Sequence, residues 1–541
     1  MVTLTEDPGI AGMETEPSPL PQEEMGSISR EGLRQLTELV PLAGNEGPPL
    51  QVISPGTGAM LAEYPHGTPA TVSKAVRRAR RAQSEWAETN LVEREAVLMR
   101  YHDLILAHRE EILDLIQLET GKARKSAFEE VADVALVSRY YGLNAERHLG
   151  PHQRKGALPG LTSTWEHHRP KGVVGFISPW NYPLSMAITD ALPALVAGNG
   201  AVLKPDQQTP FTALWALQLL HRAGLPYDLF QIVTGKGSEL GTPLIDQVDY
   251  VAFTGSTKTG RIVARQAAER LIGCSLELGG KNPMIVLADA DLESAVEGAI
   301  RGCFANAGQL CISIERLYIA ESVFERFTQR LAARVSRMTL GSQLDFEADM
   351  GSLVSQAQLE KVEAHVLDAV TKGARVLAGG RARPDVGPYF FEPTVLQGVS
   401  EEMEICSEET FGPVVSVSPF DSVEEAIERA NDSRYGLNAA VWTSDAEVGR
   451  EVAARIEAGT VNVNEAYAAT WGSIDAPMGG FKESGLGRRH GAEGILKYTE
   501  AQTISVQRGM PIASPAGVGE KDFSELMTGA LRLLRWIPGL R

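Results

Sequence analysis

Cys311 closes the run Gly308-Gln309-Leu310-Cys311, a small-residue stretch between a helical segment and an apolar strand, where a backbone can approach a small molecule closely. A thiolate in such a place is a nucleophile. A cysteine is more often an inert buried thiol, and that is the reading for Cys274, Cys303 and Cys406. Cys311 is set apart by its company. Glu277, in Leu276-Glu277-Leu278-Gly279-Gly280-Lys281-Asn282-Pro283, ends an apolar strand, where burial lifts a carboxyl toward the range of a general base. Taken alone, such a glutamate is more often a structural hydrogen-bond partner. Asn181, in Pro179-Trp180-Asn181-Tyr182-Pro183, follows the first strand of a sheet, where ligands gather in open α/β folds, and its amide has an N–H to offer an oxyanion. Its plain alternative is a turn or cap asparagine. Together the three describe covalent catalysis with a general base and an oxyanion donor.

Two glycine-bearing turns join strand to helix nearby. Phe253-Thr254-Gly255-Ser256-Thr257-Lys258-Thr259-Gly260 is one, and Gly235-Lys236-Gly237-Ser238-Glu239-Leu240-Gly241 is the other. Neither matches the G-x-G-x-x-G pattern, so as dinucleotide signals they are weak. Lys204 and Gln207, just past another strand, are candidate ribose contacts; otherwise they are a solvated strand end.

The elements that position these residues alternate. Residues 71–141 carry helical apolar spacing with charged polar positions, most clearly over 104–118. Short β-rich runs then alternate with amphipathic segments, at 172–177, 201–204, 230–234 and 250–254, which predicts a parallel, doubly wound sheet. A second series follows Glu277, at 284–287, 316–319, 414–417, 439–442 and 460–463. Residues 152–169 and 503–506 fit neither series and are expected as protruding strands. Residues 521–541 carry Leu526, Met527, Leu531, Leu534 and Ile537 at helical spacing, which predicts an amphipathic helix ending near Pro538 and docked on the protein's own surface.

The bulk numbers bound the function. A chain of 541 residues needs more than one core, and 43% hydrophobic with 22% charged residues is ordinary for a globular protein. The net charge of -18 works against phosphate backbones, so no nucleic-acid partner is expected. Four cysteines without CxxC or His-rich spacing suit a reducing compartment and predict no metal site. Residues 1–28 hold prolines and acids but no Lys or Arg, which reads as a disordered acidic tail rather than a targeting signal. No stretch approaches the roughly 18 apolar residues of a membrane span. A cytoplasmic enzyme is the expectation.

Together these motifs resemble the aldehyde dehydrogenase superfamily from about residue 55 to residue 506, in order and spacing. The resemblance implies two doubly wound α/β domains, cofactor-binding and catalytic, with a β-strand oligomerisation arm. The division would be a tail over 1–28, a cofactor-binding domain over 29–151 and 170–276, a catalytic domain over 277–473, an arm and C-terminal part over 152–169 and 474–510, and an extension over 511–541. It makes Cys311 the nucleophile, Glu277 the base of thioester hydrolysis, and Asn181 with the Cys311 N–H the oxyanion hole. It places Trp180, Lys204, Gln207, Gly255, Ser256, Glu409 and Phe411 on the cofactor, Lys204 at the adenosine ribose, Ser256 at the phosphates and Glu409 at the nicotinamide ribose.

NAD-preferring members commonly carry a glutamate where this chain has neutral Gln207, which favours NADP while leaving NAD possible. The chain most resembles NADP-type succinate-semialdehyde dehydrogenases, including a form with Gly308-Gln309-Leu310-Cys311-Ile312-Ser313-Ile314-Glu315-Arg316. Better-known members of that activity place substrate-carboxylate arginines where this chain has Thr189 and Ala305. A dehydrogenase of another aliphatic or aromatic aldehyde therefore stands as the alternative. A CoA-acylating enzyme, whose branch generally lacks the hydrolytic glutamate, and a non-catalytic protein on this fold stand further off. Homodimers or tetramers acting on a small aldehyde are expected.

Overall fold

The computed structural model describes residues 17–158, 161–509 and 512–536. An antiparallel hairpin, Gly47–Ile53 with Met60–His66, precedes four helices, Pro69–Glu88, Leu91–Ala107, Arg109–Thr120 and Arg124–Leu149. Thr68 and Thr71 cap the first reciprocally, the Asn90 side chain caps the second through the Val92 N–H, and left-handed Gly121 ends the third. The helical run over 104–118 divides at His108, which leaves helical geometry and serves as cap to both neighbours.

The first large sheet has the order Gly485–Leu486, Gly273–Glu277, Tyr250–Thr254, Val173–Ile177, Gly200–Lys204, Phe230–Ile232. All neighbours are parallel except the first pair. Side chains alternate between its faces: Val174, Phe176 and Leu203 join the core with the helices over 91–149, while Val173, Val202 and Val251 join a core with the helices Pro69–Glu88 and Gly237–Ile245. Burial on both faces explains why these strands read as continuous apolar runs. The chain enters at Val173–Ile177, winds outward through 200–232, and returns to the other side at Tyr250–Thr254, so the winding reverses between those two strands. Ligands bind at the carboxyl ends of strands flanking such a reversal. Trp180 and Asn181 follow one of these strands, Gly255 and Ser256 the other.

The second sheet runs Arg375–Ala378, Thr394–Gln397, Val414–Phe420, Ile314–Ala320, Asn282–Val286, Asn438–Trp442, Thr460–Val463, parallel except at its first pair. It has its own core, centred on Met284, Val286, Leu317, Val415 and Val441. The protruding strands pair with each other: Thr162–Pro170 lies antiparallel to Thr499–Gln507, from Thr499 opposite Pro170 to Gln507 opposite Thr162, and His152–Arg154 adds a third strand.

Two expectations need correction. The disordered tail does not extend to residue 28. Leu20, Met25 and Ile28 are buried in the first core, the Leu20 N–H donates to the Met60 carbonyl at 2.8 Å, and Ser27 donates to Asp114. Three apolar side chains outweigh the acidic composition there; residues 1–16 lie outside the described residues. The C-terminal helix forms over Glu520–Leu534 but is not docked: Leu526, Leu531 and Leu533 are 62–67% exposed. Its expected end at Pro538 falls outside the described residues. Among the described residues no helix is long and apolar enough to cross a membrane.

Candidate active site

Helix Leu292–Phe304, capped by Asp291 on the Ser294 N–H, leads through a tight turn to Cys311 and then to strand Ile314–Ala320. Asn306, Ala307 and Gly308 are all left-handed, at φ 50°, 53° and 70°. For Ala307 that geometry costs about 1–2 kcal/mol, so the surroundings must impose it. Asn306 Nδ2 donates to the carbonyls of Asn181 and Gln309, each at 3.0 Å. Gln309 Nε2 donates back to the Asn306 carbonyl at 3.1 Å, while its Oε1 accepts from the Val354 N–H at 2.9 Å. Asn282 Nδ2 donates to the carbonyls of Cys311 at 2.8 Å and Ser313 at 2.7 Å. The segment is therefore pinned on both sides of the thiol, through side chains of its own and of distant elements.

Glu277 is the last residue of strand Gly273–Glu277, and burial pushes its carboxyl up to about 7, against the opposing pull of the Arg489 charge. Asn181 is buried just beyond the neighbouring strand. Its Nδ2 donates to the Gln309 carbonyl at 3.0 Å, which occupies one of the two amide hydrogens and leaves the other. The Asn181 carbonyl accepts from Lys122 Nζ at 2.6 Å. Lys122 is itself buried, paired with Glu130 at 2.6 Å and stacked over the Tyr182 ring at 4.0 Å. The other Glu130 oxygen accepts the N–H groups of Leu184 and Ser185, at the start of helix Pro183–Ile188.

Cys311, Glu277 and Asn181 line one cavity of about 260 Å³ together with Trp180, Gly255, Ser256, Glu409 and Phe411. Burial, with Glu277 and Glu409 adding to it, pushes the Cys311 thiol up to about 12, so the resting sulfur is protonated. The cavity thus holds a neutral thiol together with a carboxyl poised near neutrality, an arrangement that needs proton transfer before attack.

One half of the cavity suits a dinucleotide. Ser256 caps helix Thr257–Glu269 by accepting from the Thr259 N–H, and the positive end of that helix faces the rim, where a phosphate is favoured. Glu409 accepts from the Gly280 N–H at 2.8 Å; a Cβ at Gly279 would come within 2.6 Å of that carboxylate, so a larger residue there would have to displace it. Burial and Glu315 push Glu409 up to about 7. Glu315 also accepts from Lys281 at 2.5 Å and from the N–H groups of Thr410 and Phe411, which sets Phe411 edge-on to Trp180 at 5.6 Å.

Lys204 and Gln207 lie outside this cavity, at and beyond the end of strand Gly200–Lys204. Lys204 is buried, yet among the described residues its ammonium has only the Gly235 carbonyl at 3.4 Å within hydrogen-bond reach. A buried cation so sparsely satisfied fits a role toward hydroxyl or phosphate oxygens. Gln207 is exposed.

These residues lie within a segment, 42–504, that matches the model of the aldehyde dehydrogenase family. The chain belongs to that family. A Mycolicibacterium smegmatis relative named "Putative succinate-semialdehyde dehydrogenase [NADP(+)]" is 50% identical over 507 residues, covering 94% of this chain and 98% of its own. A betaine aldehyde dehydrogenase of Cereibacter sphaeroides is 41% identical over 478 residues, covering 88% of this chain and 97% of its own. Among solved structures, an E. coli NADP dependent enzyme superposes with a TM-score of 0.82 at 36% identity, over 85% of this chain and 95% of that one. The NAD+ complex of a Bacillus cereus aldehyde dehydrogenase gives 0.81 at 38%, over 86% and 94%. The two-sheet α/β architecture is that of the family.

Three residues that shape this aldehyde dehydrogenase's cavity escaped the sequence reading. Lys122 comes from the short link between helices Arg109–Thr120 and Arg124–Leu149, 59 positions from Asn181. Glu129 accepts from the hydroxyls of Tyr182 at 3.0 Å and Tyr467 at 2.8 Å. Arg489 lines the cavity and donates to Thr189 Oγ1 across 300 positions. No local pattern marks such partners; only the fold brings them in.

Proposed function

We propose that this aldehyde dehydrogenase oxidises succinate semialdehyde to succinate, with NADP as the preferred acceptor and NAD as a possible one. The lining of one cavity by Cys311, Glu277 and Asn181 carries the chemical part of the reading. The M. smegmatis relative, similar over nearly the whole length of both chains, supports the substrate and the cofactor. Trp180, Gly255, Ser256, Glu409 and Phe411, with Lys204 and Gln207 beyond them, would hold the cofactor.

Glu277 first takes the proton of the Cys311 thiol, and the thiolate attacks the aldehyde carbon. The resulting alkoxide of the thiohemiacetal is met by the free Asn181 N–H and the backbone N–H of Cys311. A nicotinamide held beside Glu409 and Phe411 would supply the acceptor for the hydride lost from this carbon. A thioester on Cys311 remains. Glu277, having released its proton to solvent, deprotonates the water that attacks the acyl carbon, and the thiolate departs as the carboxylate product forms. Overall, aldehyde, water and oxidised cofactor give carboxylate, reduced cofactor and two protons.

Glu277 in the cavity speaks against transfer of the acyl group to coenzyme A. The reading includes a homodimer or tetramer, with Thr162–Pro170 and Thr499–Gln507 as the arm. It also includes a cytoplasmic location, which suits four cysteines that all remain unpaired. The experiment is the initial rate of NADP and NAD reduction with succinate semialdehyde, beside a Cys311→Ala control. Cys311-dependent turnover favouring NADP is expected; turnover confined to uncharged aldehydes overturns the substrate and keeps the mechanism.

A further inference from the structure

The cavity has a second half, away from Glu409 and Phe411, where Tyr182, Met186, Tyr467, Trp471 and Met478 pack around Cys311. Two cationic side chains line the whole cavity, Lys361 and Arg489. The Glu409 side of the cavity has Lys361, whose charge acts on that carboxyl; the substrate side has Arg489, beside Met186 and Met478.

Arg489 is only 6% exposed. Its backbone is bridged to Met478 in both directions, at 2.9 and 2.6 Å. Its Nη2 donates to Thr189 Oγ1 at 2.5 Å, and its Nε stands 3.4 Å from Asp190 without making a hydrogen bond. Asp190 is shared with Lys497 at 3.1 Å, and the carboxyls of Glu277 and Asp133 also act on the Arg489 charge, yet none of the three makes a hydrogen bond to the guanidinium. Nη1 donates to the Met186 sulfur at 3.3 Å, and a thioether is a weak acceptor. A buried, always-charged guanidinium with donors to spare is built for a carboxylate, which it grips through paired N–H groups. Its hydroxyl partner is Thr189, the position at which better-known succinate-semialdehyde dehydrogenases carry an arginine.

We infer that Arg489 binds the distal carboxylate of the substrate, delivering from another part of the chain the guanidinium that positions 189 and 305 lack. The inference rests on the succinate semialdehyde reading above.

The test compares kcat/KM for succinate semialdehyde with that for butanal, which has the same carbon count and no carboxylate. Because kcat/KM reports steps up to hydride loss, any effect of Arg489 on Glu277 during hydrolysis drops out of the ratio. The ratio is expected to fall on the order of 100-fold in Arg489→Met, mostly through KM for the acidic aldehyde, with partial recovery in Arg489→Lys. Thr189→Val, which removes the acceptor that aims the guanidinium, should lower the ratio in the same direction and serves if Arg489→Met fails to fold. A wild type that prefers succinate semialdehyde, with variants whose ratio stays within about threefold of it, overturns the role of Arg489 and leaves the substrate standing. A wild type without that preference overturns both.

Discussion

Lys122 Nζ donates to the carbonyl of Asn181 at 2.6 Å, so a buried ammonium holds the backbone of the residue proposed to meet the reacting oxygen. Lys122 and Glu130 satisfy each other in full burial, and neither can be removed singly without stranding a charge. Lys122→Met is expected to cost about 3–5 kcal/mol of stability. Urea unfolding measures it; a change below about 1 kcal/mol would show that Glu130 is neutral without its partner.

Gly308 stands three positions before Cys311, the proposed nucleophile, at φ 70°, and a Cβ there would come within 2.1 Å of the Gly412 carbonyl oxygen. Gly308→Ala should therefore lose about 2 kcal/mol or more and displace Cys311. A shift of the order of 1 Å at a nucleophile costs about 100-fold in rate, so kcat is expected to fall by tenfold or more even where the variant stays folded. Circular dichroism melts with initial rates distinguish the two effects.

Burial sets the Glu277 carboxyl near 7, and a base works when ionised, so kcat limited by thioester hydrolysis should rise with pH through about 7. Stability moves the other way. A carboxyl raised from 4.5 to about 7 by folding gives stability that is complete below 4.5 and lost as pH rises through 7. That loss is on the order of 3 kcal/mol at 1.36 kcal/mol per pH unit, and Glu277→Gln escapes it. Denaturant unfolding of both proteins at pH 5 and pH 8 should show the variant gaining relative to wild type at the higher pH.

Gln207 is exposed beyond strand Gly200–Lys204, so Gln207→Glu adds a charge at little cost to the fold. A carboxylate near a 2'-phosphate repels it by about 1 kcal/mol or more in water, and the ratio of kcat/KM for NADP over NAD is expected to fall about tenfold. An unchanged ratio would remove Gln207 from the cofactor site.

The alternation of strands and helices was legible because burial on both faces writes continuous apolar runs into the sequence. Cys311, Glu277 and Asn181 were legible because each sits in a short motif at the end of an element. Glu409 was not legible alone: its company, Glu315, Lys281 and the Gly280 N–H, assembles only when two loops meet. Arg489 and Lys122 carried no local signal, since their partners lie 300 and 59 positions away. Composition misjudged residues 17–28, where Leu20, Met25 and Ile28 outweigh the acids. The amphipathic pattern of the last helix correctly gave a helix over Glu520–Leu534, yet amphipathicity does not say what, if anything, its apolar stripe touches.

In the proposed reaction Cys311 carries a thioester whose hydrolysis depends on Glu277. The most direct measurement is a rapid-mixing assay of Glu277→Gln with succinate semialdehyde and NADP, followed by intact-protein mass spectrometry. At a pH high enough for solvent hydroxide to take the thiol proton that Glu277 takes in the wild type, acylation is expected to be slowed but to give one NADPH per active site, followed by near-complete arrest with the acyl group on Cys311. Steady turnover at the wild-type rate, with no acylated Cys311, would contradict it.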